Sequence, residues 1–241
     1  ECRMPNDAPV LHLVNVRKQY QSLRPLRVND LCVGRGERVA LSGLDAGAAE
    51  VLVNLVTGAS LPDEGDVRVL GRATSSIADG DEWLASLERF GIVSPRAVLL
   101  DAATVLQNLV MPLTLAIDEI PQDAERKARA LAHEVDIADE WLEGPVAALP
   151  ALVKARVHLV RAVALDPALL VLEHPTVGFG VGDGKAFGES VARVALERGV
   201  AALMISEDPD FSSAAATRRL ALHAASGELK SPRRNLFGWW K

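Results

Sequence analysis

Apolar and polar positions alternate over residues 11–16, the signature of a half-buried β-strand, and residues 26–33 predict a second strand. Gly34, Arg35, Gly36 and Glu37 make a turn, after which residues 38–42 form a short buried strand that enters a loop at Gly43. Residues 48–57 then carry apolar side chains at helical spacing. Pro62, Asp63, Glu64 and Gly65 form a turn before a strand at 66–70. From Trp83 to about Leu165 the pattern is mostly helical, punctuated at Pro95, Pro112, Pro121, Gly144, Pro145 and Pro150. Residues 169–172 are apolar without alternation, as in a parallel strand buried on both faces. A glycine-rich loop from Gly178 to Gly184 leads to a helix at about 185–198 and a strand at 200–206. A last strand pair falls within 219–229, and residues 231–241 form a tail outside the core.

Strand, glycine loop, helix, helical stretch, then a strand ending in an acid is the order of an α/β fold with a partly parallel sheet. The 241 residues are 49% hydrophobic and 24% charged, enough for a sizeable core and against disorder. A net charge of −6 disfavours a nucleic-acid partner. No apolar run is long enough for a membrane helix, and the first seven residues lack the apolar segment of a secretory leader. Cys2 and Cys32 are too few for a disulfide scaffold or a zinc site, and both are expected to be reduced in a cytoplasmic protein.

The most informative stretch is 166–176, where the apolar run ends in Glu173, His174, Pro175 and Thr176. A parallel strand of this kind delivers a carboxylate to the C-terminal edge of its sheet, where α/β proteins bind phosphates and metals. The stretch resembles the Walker B region of ATP-binding-cassette (ABC) transporter ATPases, which write Asp-Glu-Pro-Thr there. The landmarks keep family spacing from about residue 10 to 229, including Asn54 to Gly58 and Leu61 to Gly65 after the glycine loop. The resemblance implies an ABC-type nucleotide-binding domain: a P-loop NTPase-like core sheet, an antiparallel β-subdomain and an inserted helical subdomain. It implies a single domain at 8–230, with core 8–94 and 166–230 and helical subdomain 95–165.

The frame matches, but the residues that do the family's chemistry differ. In a Walker A loop, backbone N–H groups cradle phosphates, a Lys reaches the β/γ-phosphates and a hydroxyl holds Mg²⁺. The matching positions are Gly43, Asp45, Gly47, Ala49 and Glu50, with Ala49 in the Lys place and Glu50 in the hydroxyl place. Pro95 stands where the family has the Q-loop glutamine, and Leu149 to Val153 where it has Leu-Ser-Gly-Gly-Gln. Glu173 replaces the metal-holding Asp, and His174 replaces the Glu that polarises water; both remain candidates, for Mg²⁺ and for general base. Gly180 fills the D-loop Asp place and Glu207 the switch His place. Tyr20 falls where the family stacks an aromatic ring on adenine.

The resemblance therefore implies a transporter's cassette subunit with weak or no binding and hydrolysis of Mg-ATP. It would act as a structural or regulatory partner of a membrane subunit, an active cassette, or both, in the cytoplasm at the inner face of the membrane. One alternative is an active ATPase using Glu173 and His174; another is a scaffold independent of any transporter. In the tail, Phe237, Trp239 and Trp240 beside Arg233 and Arg234 have the composition of an interface segment.

Overall fold

The computed structural model describes residues 8–231. Two β-strands open the fold, β1 (Leu11–Lys18) and β2 (Leu26–Val33). Then come β3 (Arg38–Ser42), helix α1 (Ala46–Val56), β4 (Glu64–Val69) and β5 (Arg72–Ala73). Helix α2 (Gly80–Leu87) and strand β6 (Phe90–Val93) precede four helices: α3 (Val105–Val110), α4 (Gln122–Glu134), α5 (Asp139–Leu142) and α6 (Ala151–Val163). Strand β7 (Leu169–Glu173), α7 (Asp183–Arg198), β8 (Ala201–Ile205), α8 (Pro209–Ala215), β9 (Arg218–His223) and β10 (Glu228–Lys230) complete the order.

The strands form two sheets. One is antiparallel, in the order β2-β1-β4-β5. The other has the order β10-β9-β3-β8-β7-β6, parallel throughout except for β10. Its central strands are buried on both faces, as their unbroken apolar runs require. Leu170 and Leu172 of β7, with Ala202 and Met204 of β8, face a cluster built with α3, α4, α6 and α7. Leu169 and Val171, with Leu203 and Ile205, face a second cluster that holds α1 and the antiparallel sheet. Because side chains alternate along a strand, Glu173 follows Leu169 and Val171 onto the α1 side. Strand geometry, not chance, aims this carboxylate at the helix after the glycine loop.

Local chemistry explains several elements. Thr104 and Gln107 form a reciprocal capping box that starts α3. Asn108, fully buried, donates to the carbonyls of Leu100 and Thr104 and accepts from the Leu100 N–H at 2.8 Å, pinning the loop before α3. Gly91 is needed because a Cβ there would run into the Ala162 carbonyl of α6.

Three expectations are corrected. The stretch 83–165 is less helical than its pattern predicts, since it contains β6, which ends the parallel sheet beside β7. A short apolar run is ambiguous between helix and strand, and pairing with β7 decides it. Helix α8 is an addition, signalled by Asp208 as N-cap and Pro209 in the first turn. Cys32, buried on β2, is disulfide-bonded rather than reduced. The tail residues Phe237, Trp239 and Trp240 lie outside the described residues. Among the described residues no helix is long and apolar enough to cross a membrane.

Candidate functional site

The site lies at the C-terminal edge of the parallel sheet, where β3, β6, β7 and β8 end. Gly43 follows β3 with φ 89°, and a Cβ there would collide with the Leu222 carbonyl of β9. Only glycine serves at this point. Its N–H donates to Glu207 Oε1 at 2.6 Å. Asp45 is the N-cap of α1 and accepts the Ala48 N–H at 2.8 Å. Gly47 passes close under Tyr20, since a Cβ there would lie 3.5 Å from the ring. Tyr20 and the loop are thus neighbours, although β2, β3 and their turns lie between them in the chain.

Ala49 and Glu50, adjacent on α1, go opposite ways. Ala49 is fully buried in the apolar cluster beneath the helix. Glu50 is half exposed, and its Oε1 lies 2.6 Å from Arg96 Nη1. Arg96 then reaches across to β7, where its Nη2 donates to Glu173 Oε2 at 2.7 Å. Glu173 is only 3% exposed, and the same oxygen accepts Ser94 Oγ at 2.7 Å. Arg96 Nε also meets Ser94 Oγ at 3.3 Å. One guanidinium therefore ties the loop after β6 to both α1 and the end of β7. A buried carboxylate needs this kind of satisfaction, because an unpaired one would lose hydration without replacement.

His174, next along the chain, takes a left-handed backbone conformation with φ 41° and donates its N–H to the Ile205 carbonyl at 2.8 Å. Its Nε2 is buried and has no hydrogen-bond partner among the described residues. Pro95 sits between Ser94 and Arg96 and offers no side-chain donor or acceptor.

The structure brings Gly43, Glu50, Glu173 and Glu207 to one edge, and seats Tyr20 against Gly47. It does not join His174 to Glu173 by a hydrogen bond. Sequence reasoning missed Ser94 and Arg96. The available signal was charge: two acids at positions where phosphate binding wants neutral or cationic groups require a cation nearby, and Arg96 follows directly on the Q-loop position.

Two carboxylates, Glu50 and Glu173, share one guanidinium here, and a third, Glu207, accepts the Gly43 N–H. A phosphate placed about 4 Å from an unmatched carboxylate meets repulsion of about 1–4 kcal/mol per charge pair. A Mg²⁺ ion on Glu173 would have to displace Arg96 from Oε2.

The family model for ABC transporters matches residues 26–177, which run from β2 through the glycine loop to just past Glu173 and His174. The chain belongs to the ABC transporter family. The lipoprotein-releasing system ATP-binding protein LolD of Saccharophagus degradans is 31% identical over 172 residues, 70% of this chain and 75% of that protein. The methionine import ATP-binding protein MetN of Brucella abortus is 28% identical over 89% of the chain, which spans 58% of MetN. The macrolide export ATP-binding/permease protein MacB 1/2 of Paracoccus denitrificans is 29% identical, and the chain spans 34% of its length. Among solved structures, the ATP-binding cassette MJ0796, in a dimeric post-hydrolysis state bound to ADP and Pi, superposes with a TM-score of 0.74. It covers 92% of this chain and 99% of that one at 19% identity, and so speaks to the fold. The antiparallel sheet, the parallel core and the helices between β6 and β7 are those of an ABC nucleotide-binding domain.

Proposed function

We propose that this ABC-family chain is the cassette subunit of a transporter whose own nucleotide site binds and hydrolyses ATP weakly or not at all. In this reading it serves as a structural or regulatory partner of a membrane subunit, an active cassette, or both, at the inner face of the membrane. The single observation behind the reading is Arg96, held between Glu50 and Glu173. An internal ion pair lies where the family motifs would place phosphate and metal ligands. The loop amide of Gly43 is likewise already given to Glu207, and Ala49 is a core residue without a cation. The residues present do not fit a triphosphate. The proposed domain layout is a core of 8–94 and 166–230 with a helical subdomain at 95–165. The relatives' names speak of lipoprotein release, methionine import and macrolide export, so they support a transport role rather than one cargo.

A phosphate-release assay on the purified chain with Mg-ATP tests this. No turnover above a denatured control is expected, and calorimetry is expected to show weak binding little changed by Mg²⁺. Tight Mg²⁺-dependent binding would overturn the reading. One observation favours a second reading, an active ATPase: the buried, unpartnered Nε2 of His174 on a strained backbone next to Glu173. Turnover that disappears in both His174→Ala and Glu173→Gln would establish it.

A further inference from the structure

Residues 231–241 stand apart from the rest of the chain in composition. They hold three of its 26 cations, Arg233, Arg234 and Lys241, and none of its 32 acids. The stretch is thus at +3, and since the whole chain is at −6, the rest is at −9. The same stretch holds two of the four tryptophans, Trp239 and Trp240, next to Leu236 and Phe237.

The fold is complete without these side chains. Among the described residues both faces of the parallel sheet are already covered, one by the cluster with α3, α4, α6 and α7, the other by the cluster with α1 and the antiparallel sheet. Leu229 of β10 packs on the second cluster. β10 is the outermost strand of its sheet, at the margin opposite β6. The side chain of its last residue, Lys230, is 71% exposed beside Glu228, and Ser231 is exposed. The chain therefore leaves β10 at the surface, with four large apolar residues still to come and no core that lacks them.

Indole and phenyl rings prefer the boundary between lipid headgroups and acyl chains, which is apolar on one side and wet on the other. Arg and Lys beside them meet lipid phosphates, and each cation near an anionic surface tightens binding about fivefold. Apolar anchoring and basic charge together give stable surface binding where either alone is marginal. The acidic body is repelled by such a surface, but charges beyond the screening length of about 8 Å at physiological salt are muted. A groove on a protein partner would select shape, and does not call for charge of one sign without an acid among it.

We propose that residues 231–241 bind the chain to an anionic bilayer surface. Leu236, Phe237, Trp239 and Trp240 enter the headgroup region, and Arg233, Arg234 and Lys241 meet the lipid phosphates. The inference is independent of the Glu50–Arg96–Glu173 cluster and stands whether or not the chain hydrolyses ATP.

The probe is a vesicle of phosphatidylcholine and phosphatidylglycerol, three to one, sedimented with the full chain at physiological salt; circular dichroism verifies that each variant is folded. Co-sedimentation with a blue shift of tryptophan emission is expected, and binding to pure phosphatidylcholine vesicles at least about tenfold weaker. Arg233→Gln with Arg234→Gln is expected to weaken binding about twentyfold, and Trp239→Ala with Trp240→Ala about tenfold with loss of the blue shift. Arg24→Gln with Arg27→Gln removes the same charge from exposed positions elsewhere and is expected to change binding less than twofold. Failure of the folded wild-type chain to sediment with the anionic vesicles would overturn the proposal. So would equal binding to both vesicle types, or equal losses in the Arg233/Arg234 and Arg24/Arg27 variants.

Discussion

The two ends of the parallel sheet use the same device, one arginine shared by two carboxylates, in different surroundings. At the C-terminal end Arg96 holds Glu50 and Glu173, at 2.6 and 2.7 Å. At the N-terminal end Arg198 holds Glu134 and Asp166, both at 2.7 Å. The distances are alike, but the burial is not. The Glu173 side chain is 4% exposed, whereas Glu134 and Asp166 are 32% and 66% exposed. Water can take over from Arg198 if it is removed; it has little access to Glu173. Contact geometry therefore does not rank these clusters, and burial does. The buried one also stands at the sheet edge where α/β folds bind their ligands.

The most direct way to break this contrast is to remove each arginine in turn. Arg96→Met should cost about 2–3 kcal/mol, because it strands the charge of Glu173 with only Ser94 Oγ as a donor. Arg198→Met should cost about 0.5–1 kcal/mol, as exposed pairs do. Chemical denaturation of the two variants measures both. Equal losses would mean that water reaches Glu173 as readily as Glu134 and Asp166, and would end the distinction.

A titrating group that belongs to neither end sharpens it. His158 on α6 has its pKa pushed down to about 4, first by burial and then by the nearby Arg161. Between pH 6.5 and 4 the unfolded chain binds a proton that the folded chain refuses, so stability should fall as pH drops through this window. The loss should be about 2 kcal/mol, reduced from the full shift because the ring is only partly buried. His158→Gln should flatten the dependence in denaturant titrations at pH 7 and pH 4.5. If the slope persists in His158→Gln, the acid sensitivity belongs to the carboxylate clusters instead.

The ligand consequence comes next in size. Glu50→Ser removes one carboxylate from the C-terminal edge and releases Nη1 of Arg96. ATP affinity by calorimetry should rise about tenfold, or about 1.4 kcal/mol. No change would show that Glu50 is not what opposes phosphate. The smallest effect is ionic. In 1 M salt the screening length shrinks to about 3 Å, so the cost of Arg198→Met should fall by roughly half while that of Arg96→Met holds. A parallel decline would place both clusters in the same dielectric.

Much of the frame is legible in residue order. β1, β2 and β3 follow the alternation or unbroken apolar runs that predict them, and β7 ends on Glu173 as its pattern implies. The glycine at 43 reads as a loop entry, and the structure gives the reason in its positive φ and the crowding by Leu222. The site is less legible. Ala49 and Glu50 sit where the family spacing puts them, yet that one is buried and the other half exposed depends on which face of α1 meets the antiparallel sheet.

Order along the chain determines whatever depends on neighbours a few residues apart: strand period, helix caps at Asp45, Thr104 and Asp208, and turn glycines. It also determines family membership, because the spacing of the landmarks is a property of the chain itself. Tertiary structure alone decides the partners of charges that are far apart in sequence. Arg96 and Glu173 are 77 residues apart, and nothing local to either specifies the other. They meet because β6 and β7 pair in parallel and end together, and because strand alternation turns Glu173 toward α1. Hydrogen bonds and ion pairs act over a few ångströms in space, whatever the separation in sequence, and only the folded chain brings such groups that close.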